Sequence, residues 1–288
     1  MRLSTQTEVL GTRLGESQAV KLLCETGFDA LDYSMFGMHQ DKHFLNQPGY
    51  EKHLDELNMI ASAYSVRFNQ AHAPFPIYKE DDPDFNRVTL ERVKRSIEVA
   101  AYLGADSIVI HPVYLGQPNK MDALNFELFQ QLQPLCEKLN IQIALENLFT
   151  HDPETQEIIS SVCSTGDMFN AYLDALDKRW FVGCLDLGHC GLVGEDAAAM
   201  IRQMGPDRLK ALHVHDNNLR QDQHQAPFTG LMDWPAITKA LSDIHYSGDL
   251  TLEADNFLVN MPDEFLPTAA TFLHDIGRQL ISMIQQKD

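Results

Sequence analysis

Eight short, nearly continuous apolar runs, each separated from the next by a longer amphipathic run, constrain the fold of this 288-residue chain more than any other feature. They occupy residues 3–7, 30–34, 67–72, 107–111, 142–146, 181–186, 210–215 and 250–253. Strands covered by helices on both faces read this way, because neither face alternates toward water. The intervening segments carry helical signals. The segment from Glu16 turns Val20, Leu23 and Cys24 to one side and stops at Gly27. Another, capped by Asp84, repeats Val93, Ile97 and Ala101 on one face and ends at Gly104, with the cap and the terminal glycine where helix ends need them. Further helical runs cover residues 50–63, 122–139, 167–176, 196–204, 234–244 and 263–281. Eight strands alternating with eight helices, with no linker, predict an α/β protein built as one (β/α)8 TIM barrel over residues 1–288. A doubly wound open sheet is the structural rival. A dinucleotide enzyme of that kind needs G-x-G-x-x-G after its first strand, and "TEVLGTRLGES" lacks it.

Composition narrows the class. The net charge of −19 argues against a nucleic-acid or anionic-membrane partner, because phosphate contacts need Lys and Arg. Cys24, Cys136, Cys163, Cys184 and Cys190 are an odd number without C-x-x-C spacing, and read as reduced, buried thiols. No secretory-type apolar segment opens the chain, and no run reaches the roughly 18 apolar residues of a membrane span. The expectation is a soluble cytoplasmic protein.

A barrel of this type gathers its chemistry at the C-terminal ends of its strands, and here six consecutive ends finish on His, Asp or Glu. "NQAHAPF" supplies His72, "IVIHP" His111 and "IALEN" Glu146. "CLDLGH" supplies Asp186 and His189, "LTLEAD" supplies Glu253, and "LKALHVHDNNLRQDQH" supplies His213 and His215, then Asp222 and His224. Imidazole nitrogen mixed with carboxylate oxygen, without thiolate clusters, suits a divalent metal such as Zn, Mn, Co or Fe(II). A Glu closing an apolar strand is unfavourable unless paired or metal-bound, which marks Glu146 and Glu253. His213 and His215 stand two apart, so they share one strand face, expected to be the barrel interior. Asp222 and His224 lie in a polar loop, where they could complete a further metal site or simply be solvated. His39, His43, His53, His151, His245 and His274 lack this context and read as surface residues by default, although His39, His43 and His151 stand in loops that could reach the barrel mouth. Trp180 and Trp234 read as packing residues.

The segments "AHAPF", "LGADSIVIHP", "ALEN", "CLDLGH", "LHVHDNN…DQH" and "LEAD", in this order over nearly the whole chain, resemble the xylose isomerase-like TIM barrels, which include sugar phosphate isomerases and epimerases and endonuclease IV. Resemblance to the ketose epimerases implies one divalent metal (Mn, Co, Mg or Zn) held by Glu146, Asp186, His213 and Glu253. It also implies that Glu146 and Glu253 move a proton next to a carbonyl through an enediolate. His189 would orient a substrate hydroxyl, with His72, His111, His215 and Arg220 as further substrate contacts. The "HVH" step leaves either His213 or His215 as the ligand, and Arg220 stands out of register with the Arg of ketohexose epimerases.

Resemblance to endonuclease IV implies up to three zinc ions. His72, His111 and Glu146 would hold the first, the four ligands above the second, and His189, Asp222 and His224 the third. That reading is a multi-zinc phosphoesterase, although the acidic loops "KEDDPDF", "FTHDPET" and "LVGED" disfavour DNA. A non-catalytic metal-binding barrel is a third reading, opposed by the intact Glu146 and Glu253. The expected partner is a small carbohydrate, with no nucleic acid, no membrane, and self-association into a homo-oligomer left open.

Overall fold

The computed structural model describes residues 1–114 and 118–286, without the side chains of residues 118–120. Eight parallel strands follow one another around a nearly closed barrel: β1 (Leu3–Gln6), β2 (Ala30–Ser34), β3 (Arg67–His72), β4 (Ser107–Ile110), β5 (Gln142–Glu146), β6 (Phe181–Asp186), β7 (Leu209–His213) and β8 (Leu250–Leu252). β8 pairs back onto β1 with Leu3 opposite Leu250. The remaining seam, between β7 and β8, is joined at Val214 and Leu252: Val214 N donates to Thr251 O at 2.9 Å, and Glu253 N donates to Val214 O at 3.1 Å. The (β/α)8 expectation therefore holds, because both faces of every strand are covered and the period-2 signal is absent, as the apolar runs imply.

Ten helices in chain order are described: α1 (Glu8–Leu14), α2 (Glu16–Thr26), α3 (Glu51–Ala63), α4 (Pro83–Leu103), α5 (Pro118–Leu139), α6 (Gly166–Asp174), α7 (Leu187–Leu192), α8 (Ala197–Arg208), α9 (Trp234–Asp243) and α10 (Leu266–Gln285). Gly27 and Gly104 end α2 and α4 with φ of 106° and 79°, left-handed values that a side chain would strain. The cap of α4 is Asp82 rather than Asp84. Asp82 accepts from Phe85 N at 2.9 Å, and Pro83 takes the first helical position, where its missing N–H costs nothing. Four strands stop one or two residues before their expected ends, since Thr7, His111, His215 and Glu253 leave the ladder to enter the loops.

α1, α7 and an antiparallel hairpin of Phe149–His151 with Ile158–Ser160 were not foreseen. Each is too short to show a period of its own.

The main core lies between the strands and the helices. A small inner cluster of Val109, Ala144, Val182, Cys184 and Ala211 fills the barrel on its β4–β7 side. The opposite sector is polar: Ser4 Oγ donates to Asn69 Oδ1 at 2.7 Å, and Gln70 Nε2 donates to Asp32 Oδ2 at 2.8 Å. All five cysteines are free and buried. Trp234 is buried, with Nε1 donating to Asp216 Oδ2 at 2.9 Å. Among the described residues, no helix is long and apolar enough to cross a membrane.

Candidate metal centre

β5, β6 and β7 end on Glu146, Asp186 and His213, and Glu253 directly follows β8, so three acids and a histidine converge on one point. Asp186 stands opposite His213, and Glu146 opposite Cys184. Glu146 is the hub. Its Oε1 lies 3.2 Å from His213 Nδ1 and 3.6 Å from His189 Nδ1, and its Oε2 lies 2.9 Å from His111 Nε2 and 3.4 Å from His72 Nε2. Glu253 approaches the same His213 Nδ1 at 3.0 Å through Oε2, while its Oε1 accepts from Gln6 Nε2 at 2.6 Å. Asp186 caps α7 by accepting from His189 N at 2.8 Å, and it lies 3.0 Å from His215 Nε2.

Three groups have one donor atom per residue within 4.8 Å of all the others: Glu146, Asp186, His213 and Glu253; His72, Glu146 and His213; and His189, His215, Asp222 and His224. In the last group, Asp222 Oδ2 lies 3.0 Å from His224 Nε2 and 3.6 Å from His189 Nε2. The His215 and His224 rings stack with centroids 4.0 Å apart.

These residues fit a divalent cation on their own chemistry. Glu146, Asp186 and Glu253 are buried, and no Lys or Arg pairs with them among the described residues. Buried carboxylates without a counter-charge are strongly unfavourable. Asp222 Oδ1 is buried without a hydrogen-bond partner, which leaves it available as a ligand.

With only protein groups facing one another, the histidines supply the positive charge. Burial opposes ionisation of Glu146, but His213 and His111 outweigh it and hold the carboxyl well below its usual range. Glu253 is lowered in the same way, by His213 and His224 against burial. His189 is pushed up to about 10 because Asp186 and Asp222 overcome its desolvation. His213 and His224 are also raised, with burial opposing and nearby anionic groups prevailing. For His111 burial wins over Glu146, and the imidazole is lowered. The result is an imidazolium–carboxylate network whose protons a cation would have to displace.

Above these donors opens a cavity of about 480 Å³. Its floor includes His72, His111, Glu146, His189 and Glu253, and its walls are Phe36, Phe75, Tyr114 and Phe149. Glu8 and Asp255 stand at one side, where Asp255 accepts from Val9 N at 3.0 Å. Burial raises the Asp255 carboxyl to about 6. A larger groove of about 820 Å³ runs over the outside of the barrel past Tyr50, Arg95 and Lys138, and touches none of these groups.

Of the residues singled out in the sequence, His72, His111, Glu146, His189, Asp222, His224 and Glu253 line the cavity. Asp186 and His213 lie behind them, fully buried. His215 points inward as its strand face required, yet it sits against Asp186 and does not line the cavity. Arg220 is exposed in its loop and takes no part in the lining, and no Lys or Arg does so among the described residues. His151, a surface residue by default but one whose loop could reach the mouth, lines the cavity. Sequence reasoning missed Gln6, Glu8, Asp255 and the aromatic walls. The signal for the walls was a phenylalanine two or three residues beyond each of three strand ends: Phe36, Phe75 and Phe149.

A family model described as "Xylose isomerase-like TIM barrel" matches residues 20–274. The uncharacterized protein y4fM of Sinorhizobium fredii is 31% identical over 199 residues, which span 64% of this chain and 60% of that relative's length. The fructoselysine 3-epimerase of Shigella flexneri is 24% identical over 184 residues, covering 63% of this chain and 64% of the relative. Among solved structures, a D-tagatose 3-epimerase-like protein superposes with a TM-score of 0.75 at 19% identity, over 99% of this chain and 98% of its own. The IolI protein, solved with a bound zinc atom, superposes at 0.70 with 16% identity, over 99% and 98%.

Proposed function

The chain belongs to the xylose isomerase-like TIM barrel family, and from that premise we propose that it is a divalent-metal-dependent isomerase or epimerase acting on a sugar or sugar derivative. One observation carries the reading. Two acidic side chains, Glu146 and Glu253, share His213 Nδ1 at the floor of a cavity and both face its interior. Glu146, Asp186, His213 and Glu253 are the proposed ligands. His213 rather than His215 takes the fourth place, because its Nδ1 reaches both Glu146 and Glu253. When bound there, a Mn, Co, Mg or Zn ion supplies Lewis-acid polarisation of a carbonyl and a neighbouring hydroxyl.

The remaining work falls to the chain. Glu146 and Glu253 take and return the proton on the carbon next to the carbonyl, each from its own side of the bound sugar. His189, held by Nδ1 against Asn147 O at 2.8 Å, directs Nε2 toward a substrate hydroxyl. His72 and His111 contact substrate from the β3–β4 side of the floor. Phe36, Phe75 and Phe149 cover the C–H face of the ring and exclude water. The sugar epimerases among the relatives and structural neighbours support this substrate class.

The test is exchange of solvent deuterium into the carbon next to the carbonyl, followed by NMR over a panel of ketoses, with Glu146→Gln and Glu253→Gln beside the wild type. Removing a positioned base is expected to slow exchange about 10²–10⁴-fold. Exchange at the wild-type rate in both variants would overturn the proton-transfer roles.

A second reading rests on the second complete donor group, His189, His215, Asp222 and His224, with its unpartnered Asp222 Oδ1. Two or three zinc ions per chain would favour a multi-zinc phosphoesterase, and one ion per chain favours the isomerase. The net charge of −19 and a cavity without lining cations among the described residues speak against a DNA substrate.

A further inference from the structure

Beneath His213, in the polar sector of the barrel interior, lies an acidic side chain that the ligand geometry does not use. Asp32, on β2, is fully buried. Its Oδ1 has no hydrogen-bond partner, and no Lys or Arg reaches it among the described residues. Its Oδ2 accepts from Gln70 Nε2 at 2.8 Å and lies 3.7 Å from His213 Nε2. Gln70 Nε2 lies 3.0 Å from that same His213 nitrogen. His213 is thus clamped edge to edge, with Nδ1 toward Glu146 and Glu253 and Nε2 toward Gln70 and Asp32.

A neutral imidazole that offers the Nδ1 lone pair to a metal must carry its proton on Nε2. In the barrel interior that proton needs an acceptor, since water does not reach it. Asp32 Oδ2 is one. Gln70 Nε2 stands beside it and, by donating to the same Asp32 oxygen, holds that oxygen next to the ring. A carboxylate buried without a cationic partner persists only if something offsets its desolvation, and an Nε2–H polarised by a metal on the opposite ring nitrogen does so.

We propose that Asp32, acting with Gln70, is the positioning residue of the metal centre. It accepts from His213 Nε2–H in the metal-bound protein, where the 3.7 Å contact shortens to a hydrogen bond while Gln70 Nε2 steadies the Asp32 oxygen. In doing so it fixes the tautomer that leaves Nδ1 free, and its negative charge strengthens that nitrogen as a donor. The inference rests on the metal-site reading above, in which His213 is a ligand. It concerns a strand outside the six whose ends carry the donors.

The experiment is Zn²⁺ affinity of the full-length protein by chelator competition, paired with the unfolding temperature of the same protein in excess chelator. Asp32→Asn keeps the shape and removes the charge. It is expected to weaken Zn²⁺ binding about 10–100-fold, the usual loss when the outer partner of a ligating histidine is removed. In chelator the variant is expected to unfold within a few degrees of the wild type, because the lost contact with His213 and the relief from burying a carboxylate oppose each other. A merely structural Asp32 gives the opposite pattern, unchanged affinity with a lower unfolding temperature, and that result overturns the proposal. Gln70→Met, which removes the amide and leaves Asp32 in place, is expected to weaken binding in the same direction. It decides the matter if Asp32→Asn does not fold, since unchanged affinity there would also overturn the clamp. A wild type that binds no Zn²⁺ would overturn the metal reading and this inference with it. Binding that both variants leave untouched would overturn this inference alone.

Discussion

Replacing Asp216 by Ala tests whether one buried acid holds the loop that carries Asp222 and His224. Asp216 Oδ1 accepts from Asn217 N at 2.9 Å and Met232 N at 3.1 Å, and Oδ2 accepts from Trp234 Nε1 at 2.9 Å. The backbone of the same residue pairs with Gln225 in both directions, at 2.8 and 3.0 Å, so the chain from 217 to 224 is pinned at its root. Alanine leaves three donors without their acceptor, two of them buried and that of Met232 part-buried, at about 1–3 kcal/mol for each buried one. Relief from burying the acid returns part of that, so a net loss of about 2–4 kcal/mol is expected. At roughly 2–4 °C per kcal/mol for a chain of this size, the Tm falls by about 4–16 °C. Urea and thermal unfolding followed by circular dichroism, in chelator, measure the effect without any contribution from bound metal. Trp234→Phe, which removes one of the three donors together with its ring nitrogen, is expected to cost less than Asp216→Ala. A variant within about 0.5 kcal/mol of wild type, the range of ordinary surface substitutions, would refute the reasoning.

Other perturbations bear on different parts of the molecule. His189 is pushed up to about 10, and His213 and His224 are raised in the same direction, so a cation must displace protons from this network. Metal affinity is therefore expected to rise with pH, with proton release visible as a buffer-dependent heat in titration calorimetry; a heat independent of buffer would contradict the network. His53, whose hydrogen bond to Glu16 at 2.8 Å raises it above 6.5, contributes stability that is fully present below pH 6.5 and is lost as pH rises through its folded value. His53→Gln is accordingly expected to lose up to about 1 kcal/mol at pH 6 and almost nothing at pH 9; a gap that widens with pH would reverse the sign. A Cβ on Gly277 would meet Leu3 Cδ1 at 2.4 Å, where α10 lies on β1. Gly277→Ala is expected to cost about 1–3 kcal/mol through overpacking, read as a lower Tm; an unchanged Tm would mean that the close approach is absent.

Much of this architecture was legible because burial on both sheet faces writes itself as unbroken apolar runs. The donors stood out because a charged residue closing such a run has no cheap explanation. Asp32 escaped notice for the converse reason. In "ALDYS" it interrupts a strand on a face that becomes a polar barrel interior, and only the approach of Gln70 and His213 from other strands gives it meaning. Asp216 looked like one more polar residue of the loop, since its partners Met232 and Trp234 lie 16 and 18 residues away. His215 lies on the expected strand face but sits against Asp186 outside the cavity lining, since β7 leaves the ladder after His213. Arg220 followed a hydrophilic loop outward, and periodicity says nothing about which way a loop turns.

The aromatic walls and acid rim ride on connections. Phe36 lies in the turn after β2, Phe75 beyond β3, Phe149 in the hairpin after β5, and Glu8 and Asp255 follow β1 and β8. The proposed ligands Glu146, Asp186 and His213 close ladder strands, and Glu253 directly follows one. Inheritance can therefore treat the two halves separately. Insertions and exchanges in the connections are expected to alter which molecule is welcomed while leaving the proposed ligands in place, as the tolerance of barrel loops to variation allows. Under the proposed function, grafting a relative's residues onto the hairpin at 149–160 is expected to change sugar preference and to leave proton transfer as it was.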